Sequence, residues 1–143
     1  MSARARRAAT VVTLALAASV ACRNNPPSEP CDPMLAAIRA EEREGKMSYV
    51  ESQGKRLFVH YCATCHGDEG RGDGQNASNL NPPPPDLTTS KTTRDVLLLT
   101  KVITEGSAAV GRSPLSPPWG RSLTRQEIDY LVAYCESLSR KKP

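Results

Sequence analysis

The stretch from Cys62 to His66, which reads Cys-Ala-Thr-Cys-His, constrains this chain more than any other part of it. Two thiols separated by two residues, with an imidazole directly after the second thiol, form the attachment signature of c-type haem. On one tight turn both thiols can reach the vinyl groups at one edge of a porphyrin, and the histidine Nε2 can reach the iron. The motif therefore predicts one covalently bound haem c, attached through Cys62 and Cys65, with His66 as the proximal iron ligand.

Two other kinds of site also use closely spaced cysteines. A thioredoxin-like redox pair would need a strand before the motif and a helix after it, whereas a helical pattern precedes this motif and a glycine-rich loop follows it. A structural zinc site would need further ligands, and Cys31, Cys135 and His60 form no second pair at zinc-ligand spacing. The haem site is therefore the preferred interpretation.

A thin hydrophobic core is also consistent with a cofactor. Of the 143 residues, 38% are hydrophobic, and the chain contains one Phe and one Trp. This length suits one small domain, and small domains with thin cores usually depend on a disulfide, a metal or a cofactor for stability.

The first 21 residues are typical of an export signal. Arginines at positions 4, 6 and 7 precede an apolar run from Ala8 to Val20, which is too short for a convincing membrane-spanning helix. Ordinary signal peptidase would cut just before Cys22. The same segment resembles a bacterial lipobox, in which Cys22 would be lipidated, although Ser19 stands where Leu is usual.

The polar, proline-containing tether after Cys22 favours the lipoprotein, because it would hold a domain clear of the membrane. We therefore expect a periplasmic or other extracytoplasmic protein, whose membrane contact would be limited to a lipid at Cys22. Once residues 1–21 are removed, 16 basic and 15 acidic residues remain, a net charge of +1. No basic stripe is left that would indicate a nucleic-acid partner.

Helical patterns divide the mature chain into three parts. Residues 22–48 form a tether with a short helix, residues 49–139 form the main domain, and residues 140–143 form a basic tail. Asp32 is predicted to cap the short helix, which should end at Gly45.

Three helices are predicted within the main domain, spanning approximately residues 49–62, 94–105 and 123–138. Thr92 or Thr93 would cap the second helix, and Gly106 would end it. Thr124 and Glu127 form a capping box for the last helix.

The first and last of these helices carry residues suited to a close crossing. Gly54 and Phe58 lie four residues apart on the first helix, on a side predicted to include Val50, and Leu131 and Tyr134 lie three apart on the last helix. A glycine allows two helices to approach closely, and an aromatic side chain from each helix can fill the space around the crossing.

The remaining segments are long and irregular. No stretch of the mature chain alternates apolar and polar residues as a strand requires, and residues 67–87 are rich in Gly, Asn and Pro. The predicted fold class is therefore all-α with long irregular loops. Loops of this length are reasonable in a small domain if they wrap a large cofactor.

About residues 49–139, the chain resembles the small monohaem class I cytochromes c. The stretches that carry the resemblance are GKRLFVHYCATCHG, GRGDGQNASNLNPPPPDLT, VITEGSAAVGRSPLSPPWG and LTRQEIDYLVAYCESL. The resemblance implies a cytochrome c-like fold wrapped around one haem. It also implies that a carbonyl among Pro82 to Pro85, assigned to Pro83, accepts a hydrogen bond from the Nδ1–H of His66, and that Leu87 and Trp119 pack around the haem.

The chain departs from this family at the distal iron ligand. Ser116 occupies the position where a methionine usually precedes the prolines, and no methionine follows the haem motif. A thioether raises the reduction potential, so its loss should lower the potential. Water or an open site is the expected replacement; His60 is a less favoured ligand, and three more distant residues would need a segment folded over the distal side: Lys101, Met34 and Met47.

The resemblance implies single-electron transfer in an extracytoplasmic electron-transport chain, with redox proteins as partners and no enzymatic role. One alternative is haem-based ligand binding or sensing, or a weak peroxidase, at an open distal site. Another is a tethered cytochrome subunit of a membrane redox complex. Cys135 is most simply a small core residue, although it could pair with Cys31 in an oxidising compartment.

Overall fold

A computed structural model describes residues 32–112 and 114–140. The chain divides into two compact units, residues 1–46 and 47–143. The predicted export signal, Cys22 and Cys31 lie outside the described residues, as do the last three residues of the basic tail.

In the first unit, helix α1 spans Pro33–Arg43. The Asp32 carboxylate accepts hydrogen bonds from the backbone N–H groups of Met34 and Leu35, as predicted for the cap. The helix stops two residues before Gly45, which has the left-handed φ of 68° that favours glycine after a helix.

The second unit contains five α-helices within its described part. They are α2 (Tyr49–Tyr61), α3 (Ala63–His66), α4 (Lys91–Arg94), α5 (Val96–Glu105) and α6 (Arg125–Arg140). Short 3₁₀ turns occur at Ala77–Asn79, Ser107–Val110 and Trp119–Arg121. No strand occurs in the described ranges, and the all-α prediction is confirmed.

Helices α2 and α6 cross at the predicted glycine. A Cβ atom added at Gly54 would overlap the Tyr130 carbonyl oxygen and would lie 2.7 Å from the Tyr134 Cβ. The rings of Phe58 and Tyr134 pack edge to face next to this point, with centroids 5.3 Å apart. The crossing is therefore confirmed, but Val50, which was predicted on the buried side, is 42% exposed.

Matching capping boxes begin both crossing helices. The Glu127 carboxylate accepts from the Thr124 N–H at 2.8 Å, and the Glu127 N–H donates to Thr124 Oγ1 at 3.3 Å, as predicted. Ser48 and Glu51 make the same reciprocal pair at the start of α2. This second box carries the same Ser/Thr-x-x-Glu signal but was not predicted.

The predicted cap of the middle helix is wrong. The chain breaks at Asp95, whose carboxylate accepts from the Leu98 N–H at 3.0 Å and so caps α5. Thr92 and Thr93 lie instead within the short helix α4, which Ser90 caps. The Thr93 hydroxyl is fully buried and bonds to backbone carbonyls, so it serves the core rather than a helix end.

A single cluster of buried side chains joins the helices of this unit. Its members include Met47 just before α2, Phe58 on α2, Leu87 in the loop between α3 and α4, and Leu131 and Cys135 on α6. None of the helices in the described part of the chain combines the length and apolarity needed to cross a membrane.

Candidate haem-attachment site

The Cys-Ala-Thr-Cys-His motif begins at the end of α2. The Cys62 N–H still donates to the Phe58 carbonyl at 2.8 Å, as in a continuing helix. The next turn is closed by two bonds onto the Cys62 carbonyl, from the N–H groups of Cys65 at 3.1 Å and His66 at 2.9 Å. Both cysteines are free, half-buried and on one turn, which is the arrangement that the motif predicts.

The loop after the motif folds back over this turn. Three backbone hydrogen bonds hold it there: Gly72 N–H to His66 C=O at 2.8 Å, Gly74 N–H to Cys65 C=O at 3.2 Å, and Asn76 N–H to Thr64 C=O at 2.9 Å. The Asn76 side-chain amide also lies 4.0 Å from Cys65 Sγ. This loop has little regular secondary structure, but these backbone hydrogen bonds fix it to the motif.

His66 is half-buried, and its ring centroid lies 6.5 Å from that of Phe58. Burial lowers the pKa of His66, while the Pro85 carbonyl acts in the opposite direction. The lowered pKa keeps the ring neutral at neutral pH, the form that binds metals. Nδ1 is buried and meets no partner in hydrogen-bond geometry, so the Pro85 carbonyl is a neighbour of the ring without completing that bond.

Among the four consecutive prolines, the structure brings the carbonyl of Pro85 to the imidazole, rather than that of Pro83, the proline assigned from the resemblance. A close backbone approach positions this segment. Gly72 has a left-handed φ of 78°, and a Cβ added there would lie 2.5 Å from the Pro84 carbonyl oxygen. The choice among the prolines depends on this contact between distant parts of the loop, which no local pattern shows.

Leu87 and Trp119, the predicted packing residues, lie in different surroundings. Leu87 is buried in the core cluster, and its N–H donates to the Gly70 carbonyl at 2.7 Å. Trp119 is half-buried, with its ring centroid 5.2 Å from that of Tyr61, the residue before Cys62. Trp119 thus brings the segment that contains Ser116 next to the start of the motif.

Ser116 is half-buried, and both of its backbone polar groups bond to Ser107. The Ser107 N–H donates to the Ser116 carbonyl at 3.2 Å, and the Ser116 N–H donates to Ser107 Oγ at 3.3 Å. Gly106, with a left-handed φ of 85°, lies directly beneath, since a Cβ there would be 2.9 Å from the Ser116 carbonyl oxygen. No sequence pattern predicts the role of Ser107, because its partner is nine residues away across an irregular loop.

The other side chains considered as distal ligands are occupied or exposed. Met47 is only 6% exposed and belongs to the core cluster. His60 is exposed and packs edge to face on Tyr61, with centroids 4.5 Å apart. Lys101 is exposed on α5.

Comparison with protein families shows which family has this sequence. A sequence profile for the family described as cytochrome c matches residues 51–139, more than half of the chain. The chain belongs to the cytochrome c family. A comparison with curated proteins found no match.

Membership of the cytochrome c family settles the general chemistry. Proteins of this family bind covalently attached haem c with iron, and they support electron transfer through that haem. Cytochrome c domains are usually extracytoplasmic, and they typically act as electron carriers.

The residues of this cytochrome c fit its cofactor. Two free thiols share one turn with a neutral imidazole, and the buried Nδ1 beside the Pro85 carbonyl is the orphaned polar atom expected where a ligand will reorient the ring. Burial, with a smaller contribution from Cys65, raises the pKa of the Cys62 thiol to about 12. Cys62 is therefore an uncharged thiol at neutral pH.

The third described cysteine lies behind this site. Cys135 is buried on α6, and burial raises its pKa, so that it too stays a neutral thiol. It has no disulfide partner among the described residues. Because Cys31 is outside those residues, a bond between Cys31 and Cys135 stays a prediction.

A cavity of about 420 Å³ lies beside the attachment turn of the cytochrome c domain. Its lining includes Ala63 and Thr64 of the motif and the acidic side chains of Asp68, Glu69 and Asp73, but none of the three residues assigned to the haem. No group of three or more metal-binding side chains occurs in the part of the chain that the structure describes.

Proposed function

We propose that this cytochrome c transfers single electrons outside the cytoplasm, through one haem c held by Cys62, Cys65 and His66. The observation that carries the proposal is the attachment turn. The backbone N–H groups of Cys65 and His66 both donate to the Cys62 carbonyl, so that two free thiols and a neutral imidazole lie on one turn. When bound, haem c supplies a one-electron ferric–ferrous couple.

Each residue of the site has a distinct role in this proposal. Cys62 and Cys65 hold the cofactor at one edge, and His66 supplies the proximal nitrogen. The Pro85 carbonyl would accept the Nδ1–H of the imidazole in the haem-bound protein, which would fix the tautomer of the ring and raise its donor strength. Leu87 and Trp119 exclude water on the two sides of the site.

Ser116 sets the expected potential of this carrier. A methionine thioether would favour the ferrous state, and a neutral hydroxyl in its place does not. We therefore expect a potential below that of a methionine-ligated cytochrome c, which suits exchange with low-potential redox proteins as partners.

The export signal and Cys22 support an extracytoplasmic, membrane-tethered carrier. Lipid at Cys22 would place the polar segment 23–30 between the membrane and the domain. Replacement C22A should move the protein from the membrane fraction to the soluble periplasmic fraction. An unchanged distribution would show that Cys22 does not carry the membrane contact.

A redox titration of the purified holoprotein tests the electron-transfer function. The expected result is a reversible one-electron transition in the haem absorption bands, with the same midpoint in both directions. Replacement H66A should abolish the normal haem spectrum, whereas H60A should preserve it, because His60 is exposed on α2. A wild-type haem that does not cycle reversibly would contradict the proposal.

A further inference from the structure

We infer that Ser116, held by its two hydrogen bonds to Ser107, leaves the sixth coordination position of the iron free of any protein ligand, so that a small uncharged diatomic molecule can bind there. This inference rests on the proposed function, since it requires haem at Cys62, Cys65 and His66. It goes beyond electron transfer because it assigns the distal segment to ligand binding.

The first observation is that the distal segment is held in place rather than slack. Ser107 bonds to both the N–H and the C=O of Ser116, and Gly106 packs so closely against the backbone of Ser116 that a side chain would not fit between them. The Ser107 carbonyl in turn accepts from the Arg112 N–H at 3.1 Å. A segment tied in this way presents the residue at position 116 in one conformation.

The end of the segment is fixed as well. Trp119 packs on Tyr61, next to the attachment turn, and its carbonyl accepts from the Leu123 N–H at 2.9 Å. A Cβ added at Gly120 would lie 2.8 Å from the Thr104 carbonyl oxygen, so the chain here runs tightly along α5. Movement of this segment to bring another residue to the iron would break these contacts.

The second observation is that three side chains considered as replacement ligands, all in the second unit, are buried or point to other surroundings. The Met47 thioether is buried among core side chains, His60 is exposed beside Tyr61, and Lys101 is exposed on α5. Withdrawal of Met47 from the core would cost about 2–5 kcal/mol, on the scale of removing a buried methionine side chain.

The third observation concerns the chemistry that Ser116 presents. Its hydroxyl is neutral, and the residue is half-buried, so the hydroxyl can donate a hydrogen bond to a bound molecule. Arg112 is the one ionisable residue between positions 106 and 120, and its guanidinium donates to Thr92 Oγ1 at 2.9 Å. The segment thus offers a neutral donor rather than a charge, which favours an uncharged ligand over an anion.

Carbon monoxide is the probe that tests this inference. The reduced holoprotein should be high-spin and five-coordinate, and it should bind carbon monoxide without denaturant, with a shift of its main absorption band. In S116M an internal thioether would compete, and if it occupies the iron about 99% of the time the apparent carbon monoxide affinity falls about 100-fold. S116A should keep the affinity within a few-fold but change the C–O stretching frequency, because the hydroxyl donor is lost.

The outcomes separate the inference from the proposed function. A reduced wild-type haem that is low-spin and indifferent to carbon monoxide would overturn the inference while leaving electron transfer in place, and M34L would then show whether Met34 is the ligand. A chain that carries no haem would overturn the proposed function itself. If S116M fails to fold, the wild-type spectrum and the S116A stretching frequency still decide the question.

Discussion

The crossing of α2 and α6 gives the sharpest test of the fold. Replacement G54A adds one methyl group at the point where the helices meet. That methyl group would overlap the Tyr130 carbonyl oxygen and lie 2.7 Å from the Tyr134 Cβ. Neither atom can rotate away, because one belongs to the backbone of α6 and the other is fixed to it. The helices must therefore separate.

The magnitude follows from two opposing effects. Overpacking of a tight core costs about 1–3 kcal/mol, and contact with backbone places this site near 3. Alanine has a higher helix propensity than glycine, by about 1 kcal/mol. The net loss in the free energy of unfolding should be about 2 kcal/mol, which lowers Tm by about 8–16 °C in a domain of this size.

Thermal unfolding of the ferric holoprotein, followed by far-ultraviolet circular dichroism, measures this effect. The neighbouring replacement Q53A adds no group at the crossing and should stay within about 0.5 kcal/mol of the wild type. A G54A protein as stable as Q53A would refute the crossing geometry.

Three further predictions concern the site and the pH dependence. G72A should raise the reduction potential, because the added methyl group displaces Pro84 and with it the Pro85 carbonyl that raises the donor strength of the imidazole. The control G111A should leave the potential unchanged, because Gly111 also has a left-handed φ but nothing lies within 4 Å of its Cβ. S116M should raise the potential by roughly 0.1–0.3 V, within the 0.8 V range that axial ligands span. E51Q should make stability depend less steeply on pH in acid. The Ser48 N–H, and to a lesser degree Arg140, lower the pKa of Glu51 in the folded protein. The contribution of Glu51 to the free energy of unfolding is therefore present above its unfolded pKa of about 4.3 and is lost as the pH falls further.

Different measurements can contradict each of these three. Equal potentials for G72A and G111A would detach the Pro85 carbonyl from the tuning of His66. A potential that is unchanged in S116M would show that position 116 does not face the iron. Parallel acid-unfolding curves for the wild type and E51Q would show that Glu51 titrates alike in the folded and unfolded chains.

Much of the fold could be predicted because its signals are local. The caps at Asp32 and at Thr124 depend on residues two or three positions away, and the Gly54 crossing was predicted from residue spacings within each of the two helices. The break at Asp95 was missed because two threonines offered the same capping chemistry a few residues earlier. Both threonines are buried and so do not cap the helix, and burial depends on the packing of the whole domain.

In the site, too, the residues set by a local motif were predicted and those set by long-range contacts were not. Cys62, Cys65 and His66 follow from one five-residue motif, since the chemistry needs them on a single turn. The choice of Pro85 over Pro83 depends on a contact with Gly72, more than ten residues away. The hydrogen bonds between Ser107 and Ser116 likewise join residues across an irregular loop, where neither secondary-structure propensity nor hydrophobic periodicity predicts contacts.

The most direct test of the account is the intact mass of the exported, purified chain, followed by sequencing of the peptide that contains Cys62 and Cys65. We predict one haem per chain, retained under denaturing conditions and attached to that peptide through both cysteines. A polypeptide without added mass, or a haem that denaturing solvent extracts, would contradict the assignment.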